Sequence, residues 1–183
     1  MKPLMRRRLI LAAALLPALG VQARVAPPPE VAAELPGASA QGEARLRFFG
    51  LRVYDIRLWA GEGALAADWP VLPLALEIEY ARALDGAAIA ERSLKEMRRQ
   101  AEIDADTGAN WLAEMTRIFP DVNAGDRITG VHRPGTGARF FVNGRLRGEV
   151  LDADFARLFF GIWLSPRTSE PALREALLGP VSR

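Results

Sequence analysis

The sequence has no cysteine and a single histidine among its 183 residues. The absence of cysteine excludes disulfide bonds, thiolate metal sites and a cysteine nucleophile. A single histidine also excludes a metal site built from several imidazoles. The Gly-Thr-Gly segment at residues 135–137 lacks the Lys-Ser/Thr that follows in a phosphate-binding loop. The sequence therefore predicts neither a metal site nor a cofactor.

The N-terminus has the layout of a secretory signal peptide. Four basic residues, Lys2 and Arg6 to Arg8, precede a nearly unbroken apolar run from Leu9 to Leu19. The small-residue site ending at Ala23 is typical of signal cleavage. The apolar run is shorter than the roughly 20 residues that cross a bilayer. We therefore predict a signal peptide over residues 1–23 and a periplasmic or secreted mature chain, with no stable membrane insertion after cleavage.

Charge argues against a nucleic-acid partner. The whole chain has a formal net charge of +2. The predicted signal segment contains four basic and no acidic residues, so its removal leaves a net charge of −2. Nucleic-acid-binding proteins usually carry a basic face or stripe. The mature chain has no net positive excess from which to build one.

Period-two patterns dominate the first part of the mature chain. Residues 24–42 are rich in proline, alanine and glycine and are predicted to form a lead-in, in which residues 31–35 are a candidate edge strand. Residues 44–48, 54–58 and 72–80 then alternate between apolar and polar side chains, which is typical of strands with one buried face. Gly50 predicts a bulge or turn between the first two strands.

The remaining patterns predict two helices, a β-meander and two further helices. Apolar side chains recur at helical spacing before Pro120, and the Asn143-Gly144 pair between two alternating runs is a strong hairpin signal. Hairpin runs without alternating βα units favour an antiparallel α+β domain, here predicted over residues 43–180. The predicted helix N-caps are Asp85, Asp104, Asp152 and Ser169.

Several segments together resemble the bacterial chalcone isomerase-like proteins. They are residues 53–59, 119–122, 125–127, 133–135, 143–144, 160–164 and 177–179, in that order and spacing. The resemblance implies an antiparallel β-sheet with helices packed on one face and a cleft between them. In this superfamily, plant enzymes cyclise chalcones, whereas other members bind fatty acids without catalysis. Because one fold carries both functions, the site must decide between them.

The candidate ligand-binding residues are polar groups on early strands and one helical amide. Arg45 and Arg47 share a strand face and either hold a ligand carboxylate or face solvent. Tyr54 either donates a hydrogen bond from its hydroxyl to a ligand, or packs its ring in the core with the hydroxyl exposed to solvent. The plant enzymes use a catalytic Arg, Thr, Tyr and Asn. The resemblance implies that Arg45 or Arg47 corresponds to the Arg and that Asn110 lies near the Asn. Tyr54 stands at the threonine position and no residue matches the helical Tyr, so the set is incomplete.

Two other features have structural interpretations that are favoured over functional ones. His132 lacks a neighbouring Ser or Asp at triad spacing and is expected to be structural rather than a general base. The aromatic stripe from Phe155 to Trp163 is typical of core packing, and it also suits the wall of an apolar cavity.

Three functional hypotheses follow. The leading one is a non-catalytic binder of a small apolar carboxylate, such as a fatty acid, in the sheet–helix cleft. The first alternative is an isomerase of the intramolecular-lyase type that uses Arg45 or Arg47 as an electrostatic clamp and Tyr54 as a proton donor. The second alternative is an envelope interaction protein without a small ligand.

Overall fold

The computed structural model describes residues 25–61 and 68–179. The predicted signal peptide lies outside this part of the chain. Within it, none of the helices combines the length and apolar character that a membrane crossing requires. The strands are β1 (Ser39–Phe48), β2 (Leu51–Ala60), β3 (Leu74–Tyr80), β4 (Arg127–Arg133), β5 (Gly137–Val142) and β6 (Arg145–Val150). The α-helices are α1 (Pro29–Glu34), α2 (Gly86–Met97), α3 (Ala105–Ile118), α4 (Ala153–Leu164) and α5 (Pro171–Leu178), and a 3-10 turn spans Trp69–Val71.

The six strands form one antiparallel sheet in chain order, β1 to β6. Phe48 pairs with Leu51 across a two-residue turn, and the Asn143-Gly144 turn joins β5 to β6 as predicted. The connections within β1–β2, β4–β5 and β5–β6 are short hairpin turns, whereas the connection between the paired strands β3 and β4 contains α2 and α3. The helix pairs come before and after the β4–β6 meander, which confirms the predicted α+β class.

Helices α2 to α5 cover one face of the sheet, which we call the helix-covered face. The core lies between them, where alternate residues of β2 to β5 meet the aromatic stripe of α4. Phe160 of α4 is fully buried, and Gly130 of β4 lies beneath the aromatic rings, since a Cβ there would lie 3.3 Å from the Phe140 ring and 3.4 Å from the Phe160 ring. The aromatic stripe is therefore core, as its helical spacing indicates.

Helix α1 lies on the opposite face, which we call the outer face. Val31 is completely buried there in a second apolar cluster with Trp59 and Val131. The strand predicted at residues 31–35 is wrong, because Pro29 occupies the first helical turn and the following alanines favour helix. Helix α1 and the first residues of strand β1 therefore lie within the segment predicted to be a lead-in.

Local capping confirms three of the four predicted helix starts. The carboxylates of Asp85, Asp104 and Asp152 accept backbone N–H groups in the first turns of α2, α3 and α4. The prediction of Ser169 as the fourth cap is wrong by one residue. Glu170 occupies that position without a side-chain cap, and Pro171 follows it in the first turn.

Candidate ligand-binding cleft

A cleft of about 370 Å³ opens between the helix-covered face and helices α2 and α4. It exists because α2 makes its main contacts with α3 and α4 and not with the strands beneath it. Side chains of β1 to β4 therefore face helix α2 across a gap. Most of the cleft wall is apolar, with Leu46, Ile78, Ile89, Ile128, Phe159 and Ile162 among its members.

Two tyrosines stand side by side on the sheet wall of this cleft. Tyr54 and Tyr80 are paired on β2 and β3, with ring centroids 6.1 Å apart. Trp163 of α4 donates its indole N–H to the Tyr54 hydroxyl oxygen at 2.9 Å. Burial raises the pKa of Tyr54 to about 12, and burial also raises the pKa of Tyr80. Both phenols are therefore neutral at physiological pH and keep a proton to donate.

The Tyr54 hydroxyl has one hydrogen-bonding position open at the cleft wall. Its oxygen accepts from Trp163, and its own proton has no acceptor among the described residues. A hydroxyl offers one donor and two acceptor positions, so one donor remains available at the cleft wall. The cleft wall therefore offers a hydrogen-bond donor to any acceptor that enters the cleft.

Charged side chains border the mouth of the cleft. Arg92 of α2 forms an ion pair with the buried Glu96 at 2.8 Å, so that cation is already engaged. Arg47 donates to the Gly50 carbonyl oxygen at 3.2 Å. Arg82 is exposed and has no carboxylate partner within the described residues. Arg47 and Arg82 are therefore the arginines of the cleft lining that have no carboxylate partner among the described residues, and the acidic residues Asp85 and Glu170 line the same cleft.

The structure places Arg45 outside the cleft, on the outer face. Its guanidinium binds Asp55 through two hydrogen bonds of 2.6 and 2.9 Å. Arg52 binds the same carboxylate, and the two arginines together lower the pKa of Asp55 to about 2. Alternation predicts that Arg45 and Arg47 lie on the same face of the sheet. A β-bulge between Leu46 and Arg47 breaks this alternation. Arg47 therefore lies at the cleft mouth, near the hairpin tip.

Asn110 does not join the cleft. It lies on an exposed face of α3, away from the lining residues. The apolar side chains of α3 that enter the core are Trp111, Met115 and Ile118 instead. Of the four candidate residues, the structure brings Arg47 and Tyr54 to one site and leaves Arg45 and Asn110 outside it.

His132 has a structural environment. It is 1% exposed, packs between Trp69 and Phe160, and lies with Nδ1 3.1 Å from the Leu72 carbonyl oxygen. Because a carbonyl oxygen only accepts, Nδ1 carries the proton and donates it. Burial lowers the pKa of His132, so the ring is neutral. The histidine does not line the cleft, in agreement with its predicted structural role.

Arg82, Arg92 and Glu96 are cleft residues that the sequence analysis does not single out. Arg82 continues the alternation that ends at Tyr80, so its spacing could have placed it on the same face. Arg92 and Glu96 recur at helical spacing with Ala88, which marks one face of α2. Nothing in the sequence shows that this face stands over a gap.

Comparisons with known proteins agree with this architecture. A protein of Haemophilus influenzae, itself described as uncharacterized, is 31% identical over 138 residues, covering 75% of this chain and 66% of that protein. The crystal structure of an Arabidopsis thaliana fatty-acid binding protein superposes with a TM-score of 0.63 at 13% identity, covering 78% of this chain and 87% of that one. The profile of the chalcone isomerase-like family matches residues 48–179. The chain therefore belongs to the chalcone isomerase-like family.

Proposed function

We propose that this protein binds a small apolar carboxylate, such as a fatty acid, in the sheet–helix cleft and does not transform it. The observation that carries the proposal is an apolar cleft that contains a hydroxyl donor and has available arginines at its mouth. Ligand sites typically occupy about 300–1,000 Å³ and combine apolar walls with a few polar groups. The volume and lining of this cleft fit that description.

In the proposed complex, the hydrocarbon chain lies against the apolar wall formed by Ile78, Ile128 and Phe159. The carboxylate accepts from the Tyr54 hydroxyl and pairs with Arg47 or Arg82. A charged head needs such partners, because an unpaired charge in an apolar site is costly. The similarity in fold to a fatty-acid binding protein supports the same ligand class.

The acid–base groups of the cleft favour binding over an isomerase reaction. General acid–base catalysis is most efficient when the catalytic pKa lies near the working pH. The pKa of Tyr54 is raised to about 12, and His132 lies outside the cleft. Tyr54 suits a stationary hydrogen-bond donor better than a group that gives up and regains a proton in each turnover.

Calorimetric titration with palmitate tests the proposal. Arg47→Gln and Arg82→Gln, singly and together, are compared with Arg45→Gln, which removes an arginine from the outer face. The double variant is expected to lose roughly 1.5–3 kcal/mol of binding free energy, the scale of a hydrogen bond to a charged group. Arg45→Gln is expected to bind like the wild type. Equal affinity in all variants would reject the arginine-lined mouth as the carboxylate site.

Native mass spectrometry of the purified protein is the companion experiment. A co-purifying lipid whose mass is that of a fatty acid supports the proposal. Turnover of a chalcone without retention of any carboxylate would favour the isomerase alternative. The absence of both, with a protein partner retained, would favour an envelope interaction protein.

We further propose that the mature protein acts in the periplasm or outside the cell. The basic and apolar pattern of residues 1–23 supports export. Intact-mass analysis of the secreted protein is expected to show a chain that begins at Arg24. An intact Met1 in a carbonate-resistant membrane pellet would instead indicate a retained anchor.

A further inference from the structure

The tip of the β1–β2 hairpin is an exposed apolar projection. Phe48, Phe49 and Leu51 are 63%, 90% and 60% exposed. The two phenylalanine rings pack edge to face, with their centroids 4.5 Å apart. Single exposed apolar residues are ordinary, but three within four positions form a patch. We call residues 48–51 the apolar tip.

The backbone at the apolar tip does not favour phenylalanine. Phe49 and Gly50 have φ values of 48° and 78°, the pattern of a two-residue turn with both central residues in the left-handed region. Asparagine or glycine suits the first of these positions, and a bulky aromatic residue there is an outlier. Phe49 therefore does not serve the turn, and its ring is almost fully exposed.

Positive charge surrounds the apolar tip. Arg45, Arg47 and Arg52 flank it on the two strands, and Asp55 is the acidic residue that Arg45 and Arg52 share. The backbone N–H of Ala81 donates to the Val53 carbonyl oxygen, which brings the following Arg82 to the same end of the sheet. Residues 45–55, which form this hairpin end, thus contain three cations and one anion, in a chain whose overall charge is close to neutral.

We propose that the apolar tip docks onto a lipid bilayer that contains anionic headgroups. The side chains of Phe48, Phe49 and Leu51 enter the boundary between headgroups and acyl chains, and Arg47 and Arg82, which have no carboxylate partner among the described residues, pair with the headgroups. A narrow, convex tip fits a deformable interface better than a protein surface, since a stable protein complex buries roughly 800 Å² on each partner.

Docking in this orientation would bring the cleft mouth to the bilayer. Arg47 and Phe48 belong to the tip region and also border the cleft. An apolar ligand could then pass between bilayer and cleft with little exposure to water. The docking itself requires no cleft ligand, so it stands or fails separately from the proposed binding function.

Vesicle co-sedimentation with Phe49→Asn tests this proposal. Asparagine accepts a positive φ, so this variant is expected to keep or improve its resistance to urea while losing the exposed ring. Leu151→Asn is the matched control, since Leu151 is 69% exposed and directly follows the opposite edge strand β6. All proteins are prepared identically, so any contribution from the N-terminus is equal in each.

The wild type is expected to bind vesicles of phosphatidylglycerol and phosphatidylcholine in equal parts, and to bind more weakly in high salt. Phe49→Asn is expected to reduce the partition coefficient at least about tenfold, as expected for the loss of one buried aromatic ring. Leu151→Asn is expected to bind as the wild type does. Equal vesicle binding by Phe49→Asn would overturn the proposal.

Two other results would also overturn it. One is an absence of vesicle binding together with a concentration-dependent dimer that Phe49→Asn abolishes, which would make the tip a self-association site. The other is an absence of vesicle binding together with a photocrosslink from position 49 to another protein. Palmitate binding is measured without vesicles, so its outcome is independent of these results.

Discussion

Tyr54 and Tyr80 are both buried phenols, but only Tyr54 has an indole neighbour, Trp163, that affects its pKa. They are the only tyrosines in the sequence, and both lie on the cleft wall. Burial opposes ionisation of each phenol because a charged oxygen would lose its hydration. The indole N–H of Trp163 offsets part of this effect at Tyr54 by donating to its oxygen.

The two phenols predict a loss of stability in alkaline solution. The Tyr54 pKa is about 12 in the folded protein and about 10 in the unfolded chain, so the unfolded state releases its proton first. The free energy of unfolding should therefore fall as pH rises from about 10 to 12, by roughly 2–3 kcal/mol for Tyr54. Burial also raises the pKa of Tyr80, so its ionisation should lower the free energy of unfolding in the same way.

Ultraviolet titration measures this directly, because every tyrosinate signal arises from one of the two residues. Folded protein is expected to show little tyrosinate at pH 10.5, whereas protein in urea shows about half or more. Tyr54→Phe should flatten the alkaline loss of stability. Normal ionisation of both phenols in the folded protein would contradict the burial seen here.

Among the elements, helix α4 carries the largest aromatic surface. Phe155 and Phe159 stack with their ring planes 17° apart, and Phe159 also contacts Phe140 of β5 at 5.0 Å between centroids. The same helix supplies Trp163 to the cleft. Packing of α4 on the sheet therefore positions one wall of the proposed binding site.

Truncation of Phe159 tests this role of α4. Phe159 is 6% exposed, so Phe159→Ala is expected to lower the free energy of unfolding by about 3–5 kcal/mol. Leu151→Ala, at a position 69% exposed, should change stability by less than about 0.5 kcal/mol. Urea unfolding measures both. A loss below about 1 kcal/mol for Phe159→Ala would mean that α4 is peripheral to the core.

At the scale of the whole molecule, helix α1 joins the N-terminal segment to the meander. The Glu30 side chain is completely buried on the outer face, where its Oε1 accepts from Arg127 and from Thr129, each at 2.9 Å. Glu34 forms ion pairs with Arg133 and Arg139 from neighbouring strands. These contacts join residues about 100 positions apart and cover part of the outer face.

Glu30→Gln is expected to weaken this attachment. The amide keeps the shape but removes the charge that offsets Arg127, so the free energy of unfolding should fall by roughly 1.5–3 kcal/mol. Glu43→Gln is the matched control, because Glu43 is 72% exposed and its ion pair with Arg57 is worth no more than about 1 kcal/mol. Equal losses in the two variants, measured by urea unfolding, would show that burial of Glu30 does not contribute.

Local signals predicted much of the fold. The carboxylates of Asp85, Asp104 and Asp152 cap helices because the bond each makes reaches only two or three residues ahead. The Asn143-Gly144 turn is equally local. Residues 31–35 are largely helical, although the sequence predicts a strand there. The apolar stretch is too short to show a clear helical or strand period, and Pro29 and the alanines favour a helix.

The candidate site was predicted only in part. Tyr54 and Arg47 border the cleft, but Arg45 pairs with Asp55 on the outer face and Asn110 is exposed on α3. Alternation states which side chains share a face, but it does not state which face the helices cover. Arg82 was missed for a related reason, since its importance depends on the gap beneath α2.

The sequence by itself determined the strand and helix patterns, the capping residues, the turns and the family resemblance, because each depends on neighbours along the chain or on ordered short motifs. The tertiary structure alone decided that α2 rests on α3 and α4, that a cleft remains beneath it, and that Trp163 meets Tyr54 from 109 positions away. It also decided that α1 covers the outer face. Such contacts depend on how amphipathic surfaces pack in three dimensions, and periodicity along one chain does not encode the partner of each surface.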